Sequence, residues 1–205
     1  TALVALTLLF VSNAGFAQGF EDFTNSTATD SYADGSFVGN NGITWNYFHS
    51  RDVESYPING NGLMLRRASD SKLESETISG GIGNFSLKMR KAFTGASVRQ
   101  LELYINGDLK GTSQVYGGAT GADETVHLFE VNDINIEGDF VIMIKNVGAT
   151  SSNRQSVIDD ILWTGFGSGG EDTQAPIATF DPADAATDIV IDVNPTITFD
   201  EAIYI

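Results

Sequence analysis

The feature that most constrains the fold of this chain is a series of short segments in which apolar and polar residues alternate. In residues 85–90, for example, Phe85, Leu87 and Met89 occupy every second position, and in a strand such residues point to the same face. Clusters of Gly, Asn, Asp and Ser separate these segments, and no segment keeps a helical period over three turns. The pattern predicts an all-β fold, a sandwich or a barrel of antiparallel strands.

The clearest local signal is the pair Asn106–Gly107, which lies between the alternating segments 99–105 and 108–112. Both turn residues accept positive φ angles, so the two segments are predicted to form a β-hairpin. Further strands are predicted over residues 42–49, 125–131, 139–145 and 157–163. We therefore predict that residues 18–166 form one antiparallel β-sandwich of the jelly-roll type.

The charge of the chain limits its partners. It carries 27 acidic and 11 basic residues, a formal net charge of −16, which repels nucleic acids and anionic membrane surfaces. It has no cysteine, so a packed core must supply its stability, and a segment of about 150 residues is long enough to bury one. We predict no nucleic-acid partner.

The N-terminal residues predict export. An apolar run over residues 3–11 is followed by the small residues Gly15 and Ala17 and then by Gln18, as in a secretory signal peptide and its cleavage site. The run is too short to span a membrane. We predict a partial signal peptide over residues 1–17, a secreted or cell-surface location, and no membrane span in the mature chain. Because the sequence lacks an initiator Met, we expect a longer gene product.

A second unit is predicted after a Gly-rich linker over residues 167–175. Within residues 176–205, the segments 189–193 and 196–199 have the composition of strands. The run Asn-Pro-Thr-Ile-Thr-Phe-Asp-Glu-Ala-Ile at 194–203 resembles the start of bacterial Ig-like domains of the SbsA type. The resemblance implies an incomplete Ig-like sandwich, which in that family is a spacer or adhesive module.

The two ends of the main domain carry another resemblance. The motif Phe-Glu-Asp-Phe at 20–23 and the motif Ile-Asp-Asp-Ile-Leu-Trp at 158–163 are similar to the MAM and choice-of-anchor group of extracellular jelly rolls. The resemblance implies a jelly-roll fold and a structural cation at the junction of the first and last strands.

Four carboxylates are candidates for that cation site. Because the first and last strands of a jelly roll lie side by side, Glu21, Asp22, Asp159 and Asp160 are expected to converge. Clustered carboxylates repel one another unless a cation lies among them, and carboxylate oxygens are the ligands of calcium. We predict a structural Ca²⁺ at these residues; the alternative is that they are solvated on edge strands.

A ligand-binding site is predicted at one strand and its end. Trp45, Tyr47 and His49 share one face of the strand by the period of two, and such aromatic rows stack on sugars or fill a core. Core packing is the favoured alternative for Trp45, and it would move the binding surface to the loops around His49 and Arg51. With Arg66, these five residues form the predicted ligand-binding set.

A basic island stands out in the acidic chain. It comprises Arg66, Arg67, Lys88, Arg90 and Lys91. Such a group binds an anion or simply lies on the solvent faces of strands, and the second interpretation is favoured.

Catalysis has little support in the sequence. His49 and His127 are the only histidines, neither lies in a nucleophile or zinc motif, and thiol chemistry is excluded by the absence of cysteine. The predicted function is a non-catalytic extracellular adhesion or glycan-binding module of a larger bacterial protein, with a polysaccharide or surface glycan as partner. The alternatives are an accessory domain of an extracellular hydrolase or nuclease whose catalytic domain lies beyond Ile205, and a ligand-free spacer.

Overall fold

The computed structural model describes residues 19–147, 154–167, 178–182, 187 and 196–199. The predicted signal peptide and the strand predicted over 189–193 lie outside these ranges. The chain divides into a compact unit Phe16–Gly169 and a second unit formed by Thr1–Gly15 with Gly170–Ile205.

The described residues of the main unit form eleven strands, which confirms the predicted all-β class. One short 3₁₀ turn, Asn40–Gly42, precedes the third strand. The strands are β1 (Gly19–Glu21), β2 (Ala33–Val38), β3 (Thr44–Val53), β4 (Gly62–Leu65), β5 (Lys72–Ser75), β6 (Phe85–Lys91), β7 (Leu101–Ile105), β8 (Asp108–Thr112), β9 (Val126–Val131), β10 (Ile142–Asn146) and β11 (Ser156–Trp163).

The long strand β3 joins the two halves of the sandwich. The strands pair antiparallel in the order β8-β7-β10-β5-β3-β4-β11-β6-β9, with β2 along β3 and β1 along β11. Strand β3 pairs with β5 through Trp45–Phe48 and with β4 through Ser50–Val53. Between these segments His49 has a φ of 44°, so the strand passes from the first half (β8, β7, β10, β5) to the second half (β4, β11, β6, β9).

The two halves enclose one hydrophobic core. Leu73 and Ile144 from the first half belong to the same buried cluster as Leu87 and Trp163 from the second. The predicted face of β6 is confirmed, because Phe85, Leu87 and Met89 are all buried in that cluster. This shared core makes the main unit a sandwich, as predicted.

The second half is covered on its outer face as well. Met64, Ala92 and Val157 form a second buried cluster, against which Tyr32, Tyr56, Ile58 and Phe93 pack. These covering side chains come from the segment before β2, the loop between β3 and β4, and the segment after β6. The residues of β4 are therefore all buried, instead of alternating between core and solvent.

The predicted hairpin is confirmed. Asn106 and Gly107 have φ angles of 53° and 84°, and they join β7 to β8 with Ile105 paired to Asp108. The positive φ values are those of the tight turn that Asn-Gly favours.

In the second unit, β12 (Ala178–Asp181) pairs antiparallel with β13 (Thr196–Phe199). The strand predicted over residues 196–199 is confirmed. Across the described ranges, no helix has the length and apolar character needed to cross a bilayer.

Candidate functional site

A group of aromatic rings and arginines lies on the outer face of the second half. We call Tyr32, Arg51, Tyr56, Arg66 and Phe93 the Tyr32 patch. The guanidinium carbon of Arg51 is 5.1 Å from the centre of the Tyr32 ring and 5.5 Å from that of Phe93. The guanidinium carbon of Arg66 is 5.3 Å from the Tyr32 ring centre. These distances are those of cation–π contacts, and all five side chains are partly buried.

The register of the strands explains the floor of this patch. Arg51 pairs with Met64, Met64 with Val157, and Val157 with Arg90, and residues directly opposite in antiparallel strands share a face. Met64 and Val157 thus form an apolar floor with an arginine on each side. The Tyr32 hydroxyl donates to Met64 Sδ at 3.1 Å, which anchors the ring on this floor.

The flanking arginines fix the segments that carry the rings. Arg51 Nη1 donates to the Asp30 carbonyl at 3.0 Å, two residues before Tyr32. Arg90 Nη1 donates to the Pro57 carbonyl at 2.6 Å, next to Tyr56. The guanidinium groups therefore hold the covering segments on the sheet.

His49 and Arg66 meet at Ser71. The Ser71 hydroxyl donates to the His49 carbonyl at 3.1 Å and accepts from the Arg66 backbone N–H at 2.7 Å. His49 Nδ1 lies 2.8 Å from Asp70 Oδ2, and this hydrogen bond lowers the pKa of Asp70. Of the predicted ligand-binding set, Arg51 and Arg66 thus contact the same ring, Tyr32, and the side chain of Asp70 interacts with both His49 and Arg66.

The other two members of that set are in the core. Trp45 is 0% and Tyr47 5% exposed, and Trp45 packs edge-on against Trp163 with ring centres 6.3 Å apart. Their ring faces are not open to a sugar, so the predicted stacking role is corrected and the core alternative is confirmed. On the outer face of the second half, the partly exposed rings are those of Tyr32, Tyr56 and Phe93, which lie in segments without alternation and carry no signal in the sequence.

Burial and nearby positive charge shift the pKa of Tyr32 in opposite directions. Burial raises the pKa of its phenol, while a hydrogen bond with Gln155 and the positive charges of Arg51, Arg66 and Arg67 lower it. The net shift is upward, so Tyr32 is a neutral ring at pH 7 within a positive environment. Arg67, which belongs to the predicted basic island, is close enough to contribute to that environment.

The four predicted metal ligands do not form one cluster. Strand β1 pairs with β11, as predicted, and Glu21 lies opposite Ile161 on the core side. The register of β11 shifts between Asp159 and Leu162, and Asp160 has a φ of 47°. This bulge leaves Asp159 on the outer face with Val157, so Glu21 and Asp159 point to different faces.

Glu21 and Asp22 are held by the segments next to β1. Glu21 is fully buried, and its two oxygens accept from the N–H groups of Phe23 at 2.7 Å and Asn40 at 2.9 Å. Asp22 accepts from the Asn40 side chain at 2.8 Å. Burial raises the pKa of Glu21.

Asp159 and Asp160 have other partners. Asp159 is fully buried and accepts from the N–H groups of Asn59 at 3.0 Å and Asp160 at 2.8 Å. Burial raises the pKa of Asp159 to about 6. Asp160 pairs with Lys88 at 2.8 Å. Among the described residues no three acidic or histidine side chains form a group able to hold a metal ion, which corrects the predicted convergence of all four carboxylates.

The basic island is not a uniform solvent face. Arg90 and Lys91 are 7% and 2% exposed, and the Lys91 ammonium donates to the Ala119 carbonyl. Burial lowers the pKa of Lys91. The favoured interpretation as solvated charge is therefore wrong for Arg90 and Lys91, and it holds for the exposed Lys88.

Comparison with known proteins finds solved structures that align with most of this chain at low identity. No protein-family model and no curated protein matches the chain. The CBM36-1 domain of a multidomain xylanase from the hindgut metagenome of Trinervitermes trinervoides aligns with 17% identity and a TM-score of 0.47, over 74% of this chain and 99% of that one.

Two further structures align over similar lengths. The C-terminal family 22 carbohydrate-binding module of Clostridium thermocellum Xyn10B has 12% identity and a TM-score of 0.47, over 76% of this chain and 97% of that one. The K2 cleaved adhesin domain of Lys-gingipain has 14% identity and a TM-score of 0.48, over 72% of this chain and 99% of that one. Neither the MAM group nor the SbsA type is confirmed by these matches.

Proposed function

We propose that this chain is a non-catalytic extracellular module that binds a glycan through the Tyr32 patch. The observation that carries the proposal is the set of three partly exposed rings held beside two arginines on one sheet face. Aromatic rings offer large apolar contact area to a ligand, and arginine offers several N–H donors.

The patch is organised before a ligand arrives. Tyr32 is anchored to Met64, and the Tyr56 and Phe93 ring centres are 5.4 Å apart in a tilted contact. Arg51 is held by the Asp30 carbonyl. A site whose side chains are already ordered loses less entropy on binding, so such a surface suits the weak, repeated contacts of a sugar chain.

The titratable groups beside the patch support binding rather than hydrolysis. Glycosidic cleavage needs a carboxylic acid whose pKa is raised, close to a second carboxylate. Asp70, next to the patch, has a lowered pKa because of its hydrogen bond with His49. Asp159 has a raised pKa, but it is buried and accepts from the backbone of Asn59 in the β3–β4 loop.

Affinity electrophoresis of the full chain through gels containing different polysaccharides tests the proposal. We expect at least one polysaccharide to retard the chain, and Tyr32→Leu to weaken that retardation about tenfold or more, since a desolvated aromatic contact is lost. Tyr104→Leu is the matched control, because Tyr104 is also partly buried but lies on β7 in the first half. Equal retardation of the two variants, at unchanged melting temperature, would contradict the site.

Two alternatives predict other outcomes. An accessory domain of a glycan hydrolase would be retarded most by the polysaccharide that its catalytic partner cleaves, and an accessory domain of a nuclease would be retarded by a nucleic acid and by no polysaccharide. A ligand-free spacer would bind no polysaccharide in any gel, and no glycan would change its tryptophan fluorescence emission spectrum.

A structural Ca²⁺ is a separate part of the proposal. Asp159 would be one of its ligands, and carbonyl and water oxygens would supply the others, because the four carboxylates do not converge. A cation that binds only the folded state stabilises it by about 2.7 kcal/mol at a hundredfold excess over its Kd. We expect calcium to raise the melting temperature of the natural chain relative to chelator, and Asp159→Asn to remove the difference. Equal melting temperatures of the natural chain in calcium and in chelator would exclude the ion.

A further inference from the structure

Arginines gather in one place on a strongly acidic chain. The formal net charge is −16, yet Arg51 and Arg66 both lie within 6 Å of the centre of one ring, at 5.1 and 5.3 Å. Arg67 is near enough to act electrostatically on the same phenol, and Arg90 shares the sheet face two strands beyond Met64. Like charges at such distances repel one another, so this grouping opposes folding unless something compensates it.

The hydrogen bonds of these arginines do not supply that compensation. Arg51 and Arg90 donate to the main-chain carbonyls of Asp30 and Pro57, which carry no net charge. Within the described part of the chain, no hydrogen bond engages the guanidinium of Arg66, so its N–H donors are open to a ligand. Asp70, one of whose oxygens lies 2.8 Å from His49 Nδ1, exerts an attraction on Arg66, and its single negative charge offsets only one of the four arginine charges.

The ring contacts orient the two arginines. A guanidinium is planar, stacks on aromatic faces, and presents a fork of donors that matches a carboxylate or sulfate group. Packing against Tyr32 and Phe93 restricts Arg51, and packing against Tyr32 restricts Arg66. Less side-chain entropy is therefore lost when an acidic group binds.

We infer that the glycan bound at the Tyr32 patch is an acidic polysaccharide, whose carboxylate or sulfate groups are bound by Arg51 and Arg66. This inference rests on the proposed glycan-binding function and adds the class of ligand. The exposed parts of the Tyr32, Tyr56 and Phe93 rings, which the arginines leave uncovered, contact the apolar faces of the sugars, and the arginines select sugars that carry negative charge. Because the net charge of the chain repels an acidic polymer, the attraction must come from local contacts with the arginines.

The test compares affinities of the full chain for three kinds of polymer by titration calorimetry. Polygalacturonate carries carboxylates, dextran sulfate carries sulfates, and xylan and dextran are neutral. We expect tighter binding of one or both acidic polymers than of the neutral ones. The double variant Arg51→Gln with Arg66→Gln should lower the affinity for the acidic polymer about tenfold or more, since charge-assisted bidentate contacts are lost. The acidic polymer that binds more tightly shows whether the arginines bind a carboxylate or a sulfate group.

Two controls separate specific contacts from general attraction. Lys110→Gln makes the same change in charge on β8 of the first half and should leave the affinity unchanged. Arg66→Lys keeps the charge but not the fork, and should recover only part of the affinity. Arg66→Gln alone guards against a folding defect in the double variant, because the Arg66 side chain makes no hydrogen bond within the described residues.

The outcomes are distinguishable. Equal affinity for acidic and neutral polymers, with Tyr32→Leu still damaging, would overturn the inference and leave the glycan-binding function standing. An equal loss in Lys110→Gln and in Arg66→Gln would also overturn it, because attraction would then be non-specific. Binding of no polymer at all would overturn the proposed function itself.

Discussion

Asp159 is the buried acid that most affects how the stability of this protein depends on pH. Its side chain is fully buried, and burial raises its pKa from 3.8 to about 6, with a smaller contribution in the same direction from Asp160. Hydrogen bonds from the backbone of Asn59 and Asp160 act in the opposite direction without cancelling the shift. The folded state therefore holds the proton of this carboxyl more tightly than the unfolded state does.

This difference predicts that the free energy of unfolding falls as pH rises. The contribution of protonated Asp159 to the free energy of unfolding is complete below about pH 4 and is lost as the pH rises through about 6. The loss amounts to about 3 kcal/mol. Glu21, whose pKa is also raised by burial, acts with the same sign. In the presence of chelator, which removes any cation that would keep the carboxylate ionised, urea denaturation at a series of pH values should show a flatter pH dependence of the free energy of unfolding for Asp159→Asn than for the natural chain.

Asp139→Asn is the matched control for this prediction, because Asp139 is exposed. It should reproduce the pH dependence of the natural chain. A profile for Asp159→Asn that runs parallel to the natural one across this range would show that Asp159 is not the group responsible.

At the scale of elements, the contact between β4 and β11 sets the floor of the Tyr32 patch. A Cβ atom at Gly62 would lie 2.6 Å from the carbonyl oxygen of Ile158 and 2.9 Å from the Val157 side chain. Only glycine lets the two strands approach this closely, and the same approach brings Met64 beside Val157.

Gly62→Ala is therefore expected to push β4 away from β11. Overpacking of this kind costs about 1–3 kcal/mol, so the midpoint of chemical denaturation should fall. Asn61→Ala, at the exposed position just before it, should have a much smaller effect. An undiminished midpoint for Gly62→Ala would mean that the two strands are less tightly packed than this contact requires.

At the scale of the whole molecule, the sandwich is a unit whose core is made from its own strands. All strands from β1 to β11 lie within the compact unit Phe16–Gly169. The large buried cluster is likewise formed by residues between Phe23 and Trp163. A domain with its own hydrophobic core can fold alone.

We predict that residues 18–167 fold without the remainder of the chain. Thermal unfolding of this truncated chain, followed by circular dichroism, should be cooperative, with a β-sheet spectrum and a melting temperature close to that of the sandwich in the full chain. Truncation at 147 is the matched control, because it removes β11, which pairs with β1, β4 and β6, and it should abolish cooperative unfolding. Loss of the transition in the 18–167 chain would show that the second unit is needed.

Local patterns in the sequence determined the class of fold and several of its parts. Alternation predicted β6 and its buried face, because neighbouring side chains in a strand must point to opposite sides. The Asn106–Gly107 turn was predictable because its positive φ angles depend on those two residues alone. The pairing of β1 with β11 followed from the jelly-roll expectation.

Only the tertiary structure decided which residues reach the surface together. Alternation places Trp45 and Tyr47 on one face but does not say whether that face meets the core, and packing against the other half buries it. The bulge at Asp160 separates Asp159 from Glu21, since a shift of one residue reverses the faces of a strand. The Tyr32 patch brings together side chains that are far apart in sequence, from Tyr32 to Phe93. No local sequence pattern predicts these contacts, because they depend on how strands distant in sequence pair.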